Sequence, residues 1–224
     1  GSQQIDAGVG RHGPVVVLAG AVDAGEGLLV QQADQPVPQG DLLHDLHGQL
    51  VVIGGDNYRI GMGGGAVSSV NTGQYTSGIE LNAVQRANPE MQKRVSNVIR
   101  AIAESDNNPV ISIHDHGAGG HLNCLSELVE ATGGHIDMSQ LPVGDPTLSA
   151  KEIVGNESQE RMGLLMKEED VARVQRIADR ERSPMYVVGE TTNDMKFVFE
   201  QADGVKPIDI KPVSYTHLTL PTIR

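Results

Sequence analysis

Apolar and polar positions follow a regular pattern only from about residue 49 onward. Short apolar runs typical of strands alternate there with segments in which apolar residues recur every three or four positions, as in helices. The runs are QLVVIGG (49–55), VISI (110–113), RMGLLM (161–166), MYVVGE (185–190) and MKFVFE (195–200). This alternation predicts an α+β domain over residues 49–211, a layered mixed β-sheet with packed helices. We expect the sheet to be mixed because the last two runs are close enough to form a hairpin.

The clearest helix is predicted over NPEMQKRVSNVIRAIAES (88–105). Asn88 can cap its first turn, Pro89 suits the first helical position, and Glu90 places an acid where the helix dipole favours one. One apolar stripe follows, formed by Met91, Val95, Val98, Ile99 and Ile102.

Two further helices are expected downstream. One passes through Leu125, Leu128 and Val129 and stops at Gly133-Gly134. The other covers EEDVARVQRIADRER (168–182) and ends before Pro184, which cannot continue a helix.

Neither end of the chain shares this regularity. Residues 1–48 mix Gln, Asp, Pro and His without a helical or strand period. Out-of-frame translation would give such an aperiodic sequence. PVSYTHLTLPTIR (212–224) resembles the translated adapter tails of environmental sequence reads, so it is left out of the predicted fold. We expect both segments to add little to stability, since they lack the apolar density that offsets about 1–2 kcal/mol of ordering per residue.

The composition narrows the classes of function. With 17 basic and 29 acidic residues the net charge is −12, which argues against binding to a nucleic-acid backbone or an anionic membrane. A nucleotide ligand stays open, because backbone N–H groups and a metal ion can hold a phosphate group.

Cys124 is the only cysteine, so no internal disulfide can form, which fits a reducing compartment. We expect its side chain to be a small buried hydrophobe beside a helix. The sequence contains no run of about 18 apolar residues and no basic-then-apolar leader. These features predict a cytoplasmic protein.

The stretch ISIHDHGAGGHLN (111–123) places an aspartate and glycines at the end of a predicted strand. Asp115 can face a crevice above the sheet there and hold Mg²⁺, a cation that prefers oxygen ligands and substrate phosphates. Gly117, Gly119 and Gly120 would let the backbone approach such a ligand. The alternative is an aspartate that caps a tight turn before a helix.

Histidines in the same stretch raise zinc as a second metal. His114, His116 and His121 lie near Cys124, but their spacing, H-D-H-x₄-H-x₂-C, is not that of a recognised zinc site. Solvated or hydrogen-bonded histidines are the favoured interpretation.

A second glycine-rich stretch, IGMGGGAVSS (60–69), has neither the dinucleotide-binding spacing nor the lysine of a P-loop. Its glycines are Gly61, Gly63, Gly64 and Gly65. They form either a close-packed turn that opens a short helix or a phosphate contact through backbone N–H groups.

The polar stretch NESQER (156–161) precedes an apolar run. It is either an ordinary surface loop or a loop that binds a polar substrate. In the second case Glu157, Ser158 and Gln159 would offer both donors and acceptors.

Four motifs together point to one enzyme family. They are GDNYRIGMGGGAVSS (55–69), VQRANPEMQKR (84–94), IHDHGAGGHLN (113–123) and GNESQERMGLLM (155–166). The order and spacing of these motifs resemble those of phosphoribosylformylglycinamidine synthase, in its large single-chain form. The resemblance covers about Val51–Ile210. The resemblance implies the C-terminal-type domain of the first of two synthetase halves, with the fold found in the aminoimidazole ribonucleotide synthetase superfamily.

The resemblance also implies a ligase of de novo purine biosynthesis. ATP phosphorylates the formyl-amide oxygen of formylglycinamide ribonucleotide, and ammonia from glutamine, hydrolysed in a separate domain, displaces the phosphate. The family's catalytic histidine, further Mg²⁺ ligands and glutaminase residues lie in domains that this chain does not match. No catalytic residue is therefore assigned here, and we expect the chain alone to be inactive without its sister synthetase and glutaminase domains.

By the same resemblance Asp115 corresponds to a Mg²⁺ ligand and Gln85 to a substrate-contacting glutamine. The triplet Glu157, Ser158 and Gln159 corresponds to a substrate-binding Glu-Ser-Gln. The candidate ATP contacts are the glycines of the two turns, Gly63, Gly64, Gly65, Gly117, Gly119 and Gly120. His121 departs from the family, which usually has Leu at this position.

Two alternatives remain from other classes of function. The chain can be a domain of a related ATP-dependent synthetase, such as aminoimidazole ribonucleotide synthetase, although NESQER and VQRANPEM argue against that. It can also be a non-catalytic scaffold half that only packs against its sister domain.

Overall fold

The computed structural model describes residues 47–61, 67, 71, 73–85 and 88–211. The elements in these ranges are β1 (Gly48–Gly54), α1 (Ser77–Leu81), α2 (Pro89–Ala103), β2 (Val110–His116), α3 (Gly120–Leu128), β3 (Gly134–Asp137), a 3₁₀ turn (Met138–Gln140), α4 (Ala150–Val154), β4 (Ser158–Lys167), α5 (Glu168–Glu181), β5 (Met185–Thr191), β6 (Phe197–Glu200) and β7 (Ile208–Ile210). No helix in these ranges is long and apolar enough to cross a membrane. The predictions for residues 1–46, for Gly63, Gly64 and Gly65, and for residues 212–224 lie outside them.

The seven strands form one sheet in the order β2-β4-β1-β5-β3-β6-β7. Neighbouring strands are antiparallel except β3 and β6, which run parallel. The prediction of a mixed sheet with packed helices is therefore confirmed.

The predicted hairpin between MYVVGE and MKFVFE is wrong. β3 lies between β5 and β6, pairing antiparallel with β5 and parallel with β6. Gly189 of β5 permits this insertion, since a Cβ there would lie only 2.1 Å from the carbonyl oxygen of His135 in β3. The antiparallel partner of β6 is β7, in which Ile210 pairs with Phe197.

Helices cover both faces of the sheet. On the face of α2 and α5 the buried cluster is Val51, Ile53, Val95, Val98, Ile99, Ile102, Val110, Ile113, Leu164, Met166, Val174 and Ala178. On the face of α3 and α4 it is Leu50, Val52, Cys124, Leu125, Leu128, Val129, Ile136, Met138, Leu141, Val154, Leu165, Val188, Phe197 and Phe199. Successive residues of β1 alternate between the clusters, so QLVVIGG is a continuous apolar run because both of its faces are buried.

The amino-terminal end of α2 confirms the predicted cap. The side chain of Asn88 accepts a hydrogen bond from the N–H of Met91 (2.9 Å), and Pro89 occupies the first helical turn. The predicted apolar stripe is buried at Val95, Val98, Ile99 and Ile102. The cap acts within one turn and the stripe within about two, so local signals were sufficient here.

Strand β2 and helix α3 differ from the predicted bounds. The strand continues past Ile113 to His116, and the helix ends at Leu128 rather than at the glycine pair. Since α3 begins at Gly120, only a short turn joins the two elements.

Candidate functional site

The residues singled out from the sequence converge at one edge of the sheet. β1 and β2 both run antiparallel to β4, which lies between them. The carboxyl ends of β1 and β2 therefore meet the amino end of β4, as the pairs Gly54–Arg161 and His116–Ser158 show.

Asp115 is the penultimate residue of β2 and is half-buried. Its Oδ1 accepts a hydrogen bond from the backbone N–H of Gly117 (2.7 Å). A Cβ on Gly117 would lie 2.5 Å from the same oxygen, so the glycine makes room for the turn. Asp115 thus caps the turn, as the alternative interpretation predicted, and does so with one of its two carboxylate oxygens.

Gly119 and Gly120 both have positive φ angles, 82° and 57°, which glycine adopts at little cost. A Cβ on Gly120 would lie 2.4 Å from the carbonyl oxygen of Asn156. The N–H of Gly120 donates to the carbonyl of Gly117 (3.0 Å). The close backbone approach at this turn is therefore to the segment before β4, within the protein itself.

Glu157 is buried against this turn, and its Oε1 accepts a hydrogen bond from the N–H of Gly119 (3.1 Å). A carboxylate at this place is favourable because the amino end of a helix has a positive potential. The backbone of Glu157 also pairs with Gly61, from N–H to carbonyl, at 2.7 Å. Glu157 therefore links two of the glycine-containing segments.

Gln85 is buried and uses both ends of its amide within the protein. Its Oε1 accepts from the N–H of Tyr58 (3.2 Å), while its Nε2 donates to the carbonyl of Asp56 (2.9 Å) and to Oε2 of Glu160 (3.2 Å). These bonds give Gln85 a structural role in holding the segment after β1.

The residues of the Glu-Ser-Gln triplet differ in exposure. Ser158 is fully buried, and its Oγ accepts from the N–H of Glu160 (3.1 Å). The side chain of Gln159 is exposed, while its N–H donates to the carbonyl of Gln85 (3.0 Å). Gln159 is the member of the triplet that presents its side chain to solvent.

Hydrogen bonds connect Arg161, His121, His116, Asn156 and Asn57, a set of residues called the buried polar chain below. The sequence pattern did not predict this connection. Nη1 of Arg161 lies 2.7 Å from Nε2 of His121, and Nδ1 of His121 lies 2.9 Å from Nε2 of His116. Nη2 of Arg161 donates to the carbonyl oxygen (2.9 Å) and to the side-chain oxygen of Asn156. Nδ2 and Oδ1 of Asn57 lie 3.2 and 3.3 Å from Nε2 of His121. The hydrogen-bonded interpretation of these two histidines is confirmed.

Burial is the main cause of the pKa shifts in the buried polar chain. It lowers the pKa values of His116 and His121 well below the usual value, and the charge of Arg161 lowers them further. Burial also lowers the pKa of Arg161 to about 9, so the guanidinium is still charged at neutral pH. The two imidazoles are therefore neutral beside a buried cation.

Cys124 and His114 complete the set of residues that were considered for zinc. Cys124 is a buried member of the α3 cluster, as predicted, and burial raises the pKa of its thiol well above the usual value. Nδ1 of His114 lies 2.7 Å from Oε2 of Glu127, and this hydrogen bond lowers the pKa of the Glu127 carboxyl. Within the described ranges no three His, Cys, Asp or Glu side chains are arranged to hold a metal ion.

A sequence signal for the buried chain existed in RMGLLM. Arg161 occupies the first position of an apolar run, where alternation places it on the same face as the buried Leu165. A charge at such a position requires buried hydrogen-bond partners. One partner, Asn156, lies five residues away, but the other, His121, comes from α3, so the signal indicates only that partners exist.

Comparison with known proteins places this geometry in context. A Saccharomyces cerevisiae protein named phosphoribosylformylglycinamidine synthase is 42% identical over 166 residues, which are 72% of this chain and 12% of that protein. The Homo sapiens protein of the same name is 45% identical over 152 residues, 67% and 11% of the two chains. A probable chloroplastic/mitochondrial synthase of this name from Arabidopsis thaliana is 48% identical over 144 residues, 63% and 10%. The chain thus spans about a tenth of the length of these relatives.

Solved structures share the fold. Thermotoga maritima PurL complexed with FGAR has a TM-score of 0.65 and 23% identity, covering 75% of this chain and 27% of that one. The same protein complexed with ATP has a TM-score of 0.58 and 22% identity, covering 74% and 25%. The family described as AIR synthase related protein, C-terminal domain, matches residues 47–200. Since this match covers more than half of the chain, the chain belongs to the family of AIR synthase related proteins through their C-terminal domain.

Proposed function

We propose that residues 49–211 are a synthetase domain of a phosphoribosylformylglycinamidine synthase. The whole enzyme would convert formylglycinamide ribonucleotide to the amidine with ATP and with ammonia from glutamine. The observation that supports this most is the convergence of Asp115, the glycine turn and the Glu157–Gln159 segment at one sheet edge. The identity of 40–48% to relatives with this name supports the same conclusion.

The carboxylate of Asp115 fits a Mg²⁺ ion that is shared with a nucleotide. Asp115 is half-buried at the end of β2, and only its Oδ1 is engaged by the described part of the chain. Mg²⁺ usually binds proteins through one or two carboxylates and takes its other oxygens from phosphates and water, so a larger cluster is not required. When bound here, Mg²⁺ would neutralise charge on the phosphates of ATP.

The two glycine turns would lie beside those phosphates. Gly117, Gly119 and Gly120 already donate their N–H groups within the protein, so a phosphate would contact the N–H of Gly119 only after displacing Glu157. Contacts from Gly63, Gly64 and Gly65 are proposed from the sequence alone.

For the substrate, Gln159 is the side chain best placed to make contact, since it is exposed beside the turn. Glu157 would hold the turn and, with Ser158 and Gln85, shape the edge of the site from within. The Thermotoga maritima complexes with FGAR and with ATP support both ligands for a protein of this fold.

The nucleophile, the general base and the remaining metal ligands would come from other domains of the enzyme. Chemistry of this kind needs a complete site, and the chain spans about a tenth of its relatives. Sister synthetase and glutaminase domains are therefore its proposed partners, and the chain alone is expected to be inactive. A cytoplasmic location stays a prediction, since one relative is named chloroplastic/mitochondrial.

A domain exchange tests the proposal. Residues 49–211 would replace the matching segment of the Saccharomyces cerevisiae relative, and the chimera would be expressed in yeast that lacks its own synthase. We expect growth without added purine. A chimera that accumulates as a folded protein but supports no growth would contradict the proposed function.

A further inference from the structure

Arg161 can only donate hydrogen bonds, and this determines the direction of every hydrogen bond in the buried polar chain. A guanidinium has no acceptor, so Nε2 of His121 accepts from Arg161 and carries no proton. Because burial beside this cation keeps the imidazole neutral, the proton of His121 is on Nδ1, which donates to Nε2 of His116 at 2.9 Å. His116 therefore carries its own proton on Nδ1. Arg161 fixes the tautomers of both histidines.

The same guanidinium contacts both sides of the candidate site. His116 lies between Asp115 and Gly117 at the end of β2, and His121 lies in the first turn of α3. On the other side, Arg161 binds the backbone and the side chain of Asn156, the residue before Glu157. One side chain thus connects the segments that contain the two carboxylates of the site.

Packing alone does not account for a charge at this position. Arg161 is fully buried, and no carboxylate in the described ranges lies within ion-pair distance of it. An apolar side chain of similar length would fill the space without the desolvation of a charge. What an apolar side chain cannot do is donate to His121 and Asn156 at once.

We propose that Arg161 is a positioning residue that holds the carboxylates of Asp115 and Glu157 in fixed relation at the sheet edge. It acts on Asp115 through His121 and His116, and on Glu157 through Asn156. The purpose of this arrangement, to receive a magnesium–phosphate ligand, rests on the proposed function. The arrangement itself does not, and it can be measured without any ligand.

Two NMR measurements on the full 224-residue chain test the proposal. Imidazole nitrogen spectra should show a proton on Nδ1 of both His121 and His116. The amides of Gly117 and Gly119 report the two carboxylates, because each donates to one of them. In Arg161→Met we expect the histidine tautomers to become mixed and both glycine amides to exchange with solvent at least tenfold faster.

The comparison amide is that of Val198 in β6, whose exchange should not change. A role in general stability would instead accelerate exchange at all three amides together. Arg100→Met is the matched control, since it removes an exposed guanidinium from α2 and should leave the tautomers and both glycine amides as they are.

Arg161→Lys keeps the charge but offers one donor nitrogen in place of the two that Arg161 uses, so it should give intermediate exchange rates. If Arg161→Met does not fold, the proposal is tested by amide exchange in Arg161→Lys and by the imidazole nitrogen spectrum of the parent chain. A proton on Nε2 of His121 in the parent, or parent-like exchange in Arg161→Lys, overturns the proposal. A folded yeast chimera that supports no growth, together with the expected tautomers in this chain, would count against the proposed function instead.

Discussion

Glu160 and Arg161 are consecutive residues of β4, and their buried side chains lie on opposite faces of the sheet. Glu160 accepts from the N–H of Asn88 at the start of α2 and from the amide of Gln85. Arg161 donates to His121 in the first turn of α3. Two adjacent charges thus attach the helices of both faces to the same sheet edge.

Glu160→Gln should destabilise the fold. The carboxylate accepts from two donors, whereas an amide has one oxygen and would turn its NH₂ group toward the other donor. Leaving one buried donor unpaired costs about 1–3 kcal/mol. Urea denaturation of the full chain measures this loss. Glu169→Gln, at an exposed position of α5, is the control and should change stability by about 0.5 kcal/mol or less. Equal effects of the two changes would contradict the assigned role of Glu160.

Gly120→Ala should destabilise more than an alanine at another glycine with positive φ. Gly204 has a φ of 81°, and a Cβ added there would have no atom within 4 Å, so Gly204→Ala should cost about 1–2 kcal/mol for the backbone conformation alone. At Gly120 a Cβ would also meet the carbonyl oxygen of Asn156 at 2.4 Å, which adds about 1–3 kcal/mol. Thermal unfolding of both variants gives the difference. A smaller loss at Gly120 would mean that the turn can move away from Asn156.

Acid should destabilise the chain through His121. Burial first, and then the charge of Arg161, lowers its pKa in the folded state, while the unfolded residue takes up a proton near pH 6.5. The unfolded state therefore binds more protons below about pH 6.5, and the free energy of unfolding falls there by up to about 1.4 kcal/mol per pH unit. Above that pH both states are neutral and this contribution is constant.

The variant His121→Asn separates this effect from other titrations, because an amide does not titrate. Its stability should fall less steeply between about pH 6.5 and 5 than that of the parent chain. A parent-like slope in His121→Asn would show that His121 is not neutral in the fold.

Asp115→Asn should separate turn capping from metal binding. The amide oxygen can still accept from the N–H of Gly117, so stability should change by about 1 kcal/mol or less. Loss of the charge should lower Mg-ATP-dependent turnover of the yeast chimera by about tenfold or more. Asp209→Asn in β7 removes a charge at the far edge of the sheet and should leave turnover unchanged.

The opposite outcome for Asp115→Asn is equally informative. Intact turnover together with a clear loss of stability would make Asp115 a turn cap without a metal role. That result would favour the non-catalytic scaffold among the alternatives.

The elements that the sequence predicted correctly depend on local signals. The cap at Asn88 and the apolar stripe of α2 act within a few residues, and the run at β1 is apolar on both faces. Strand β3 has four residues with one buried aliphatic side chain, Ile136, so it shows no period. Its position between β5 and β6 depends on Gly189, which is distant in sequence. The predicted hairpin failed because adjacency in sequence did not determine adjacency in the sheet.

In the candidate site, too, local features were predicted from the sequence and contacts between distant segments were not. Asp115 and its turn were visible in one stretch, and both the capping and the metal interpretation followed from it. The connection from Arg161 to His121 and His116 was visible only in part, because the sequence signalled a buried charge at Arg161 but not that its partner comes from α3. Arg161 lies 40 residues after His121, so no motif spacing records this contact and only the folded arrangement reveals it.

The place of β1 in the sheet has a consequence for synthesis. Its four central residues, Leu50 to Ile53, are completely buried, yet its neighbours β4 and β5 begin at Ser158 and Met185. A chain leaving the ribosome therefore exposes an unpaired apolar strand until both partners have emerged. Pairing between strands so distant in sequence folds slowly and leaves edges open to association. During this interval the apolar residues of β1 are open to association with other chains.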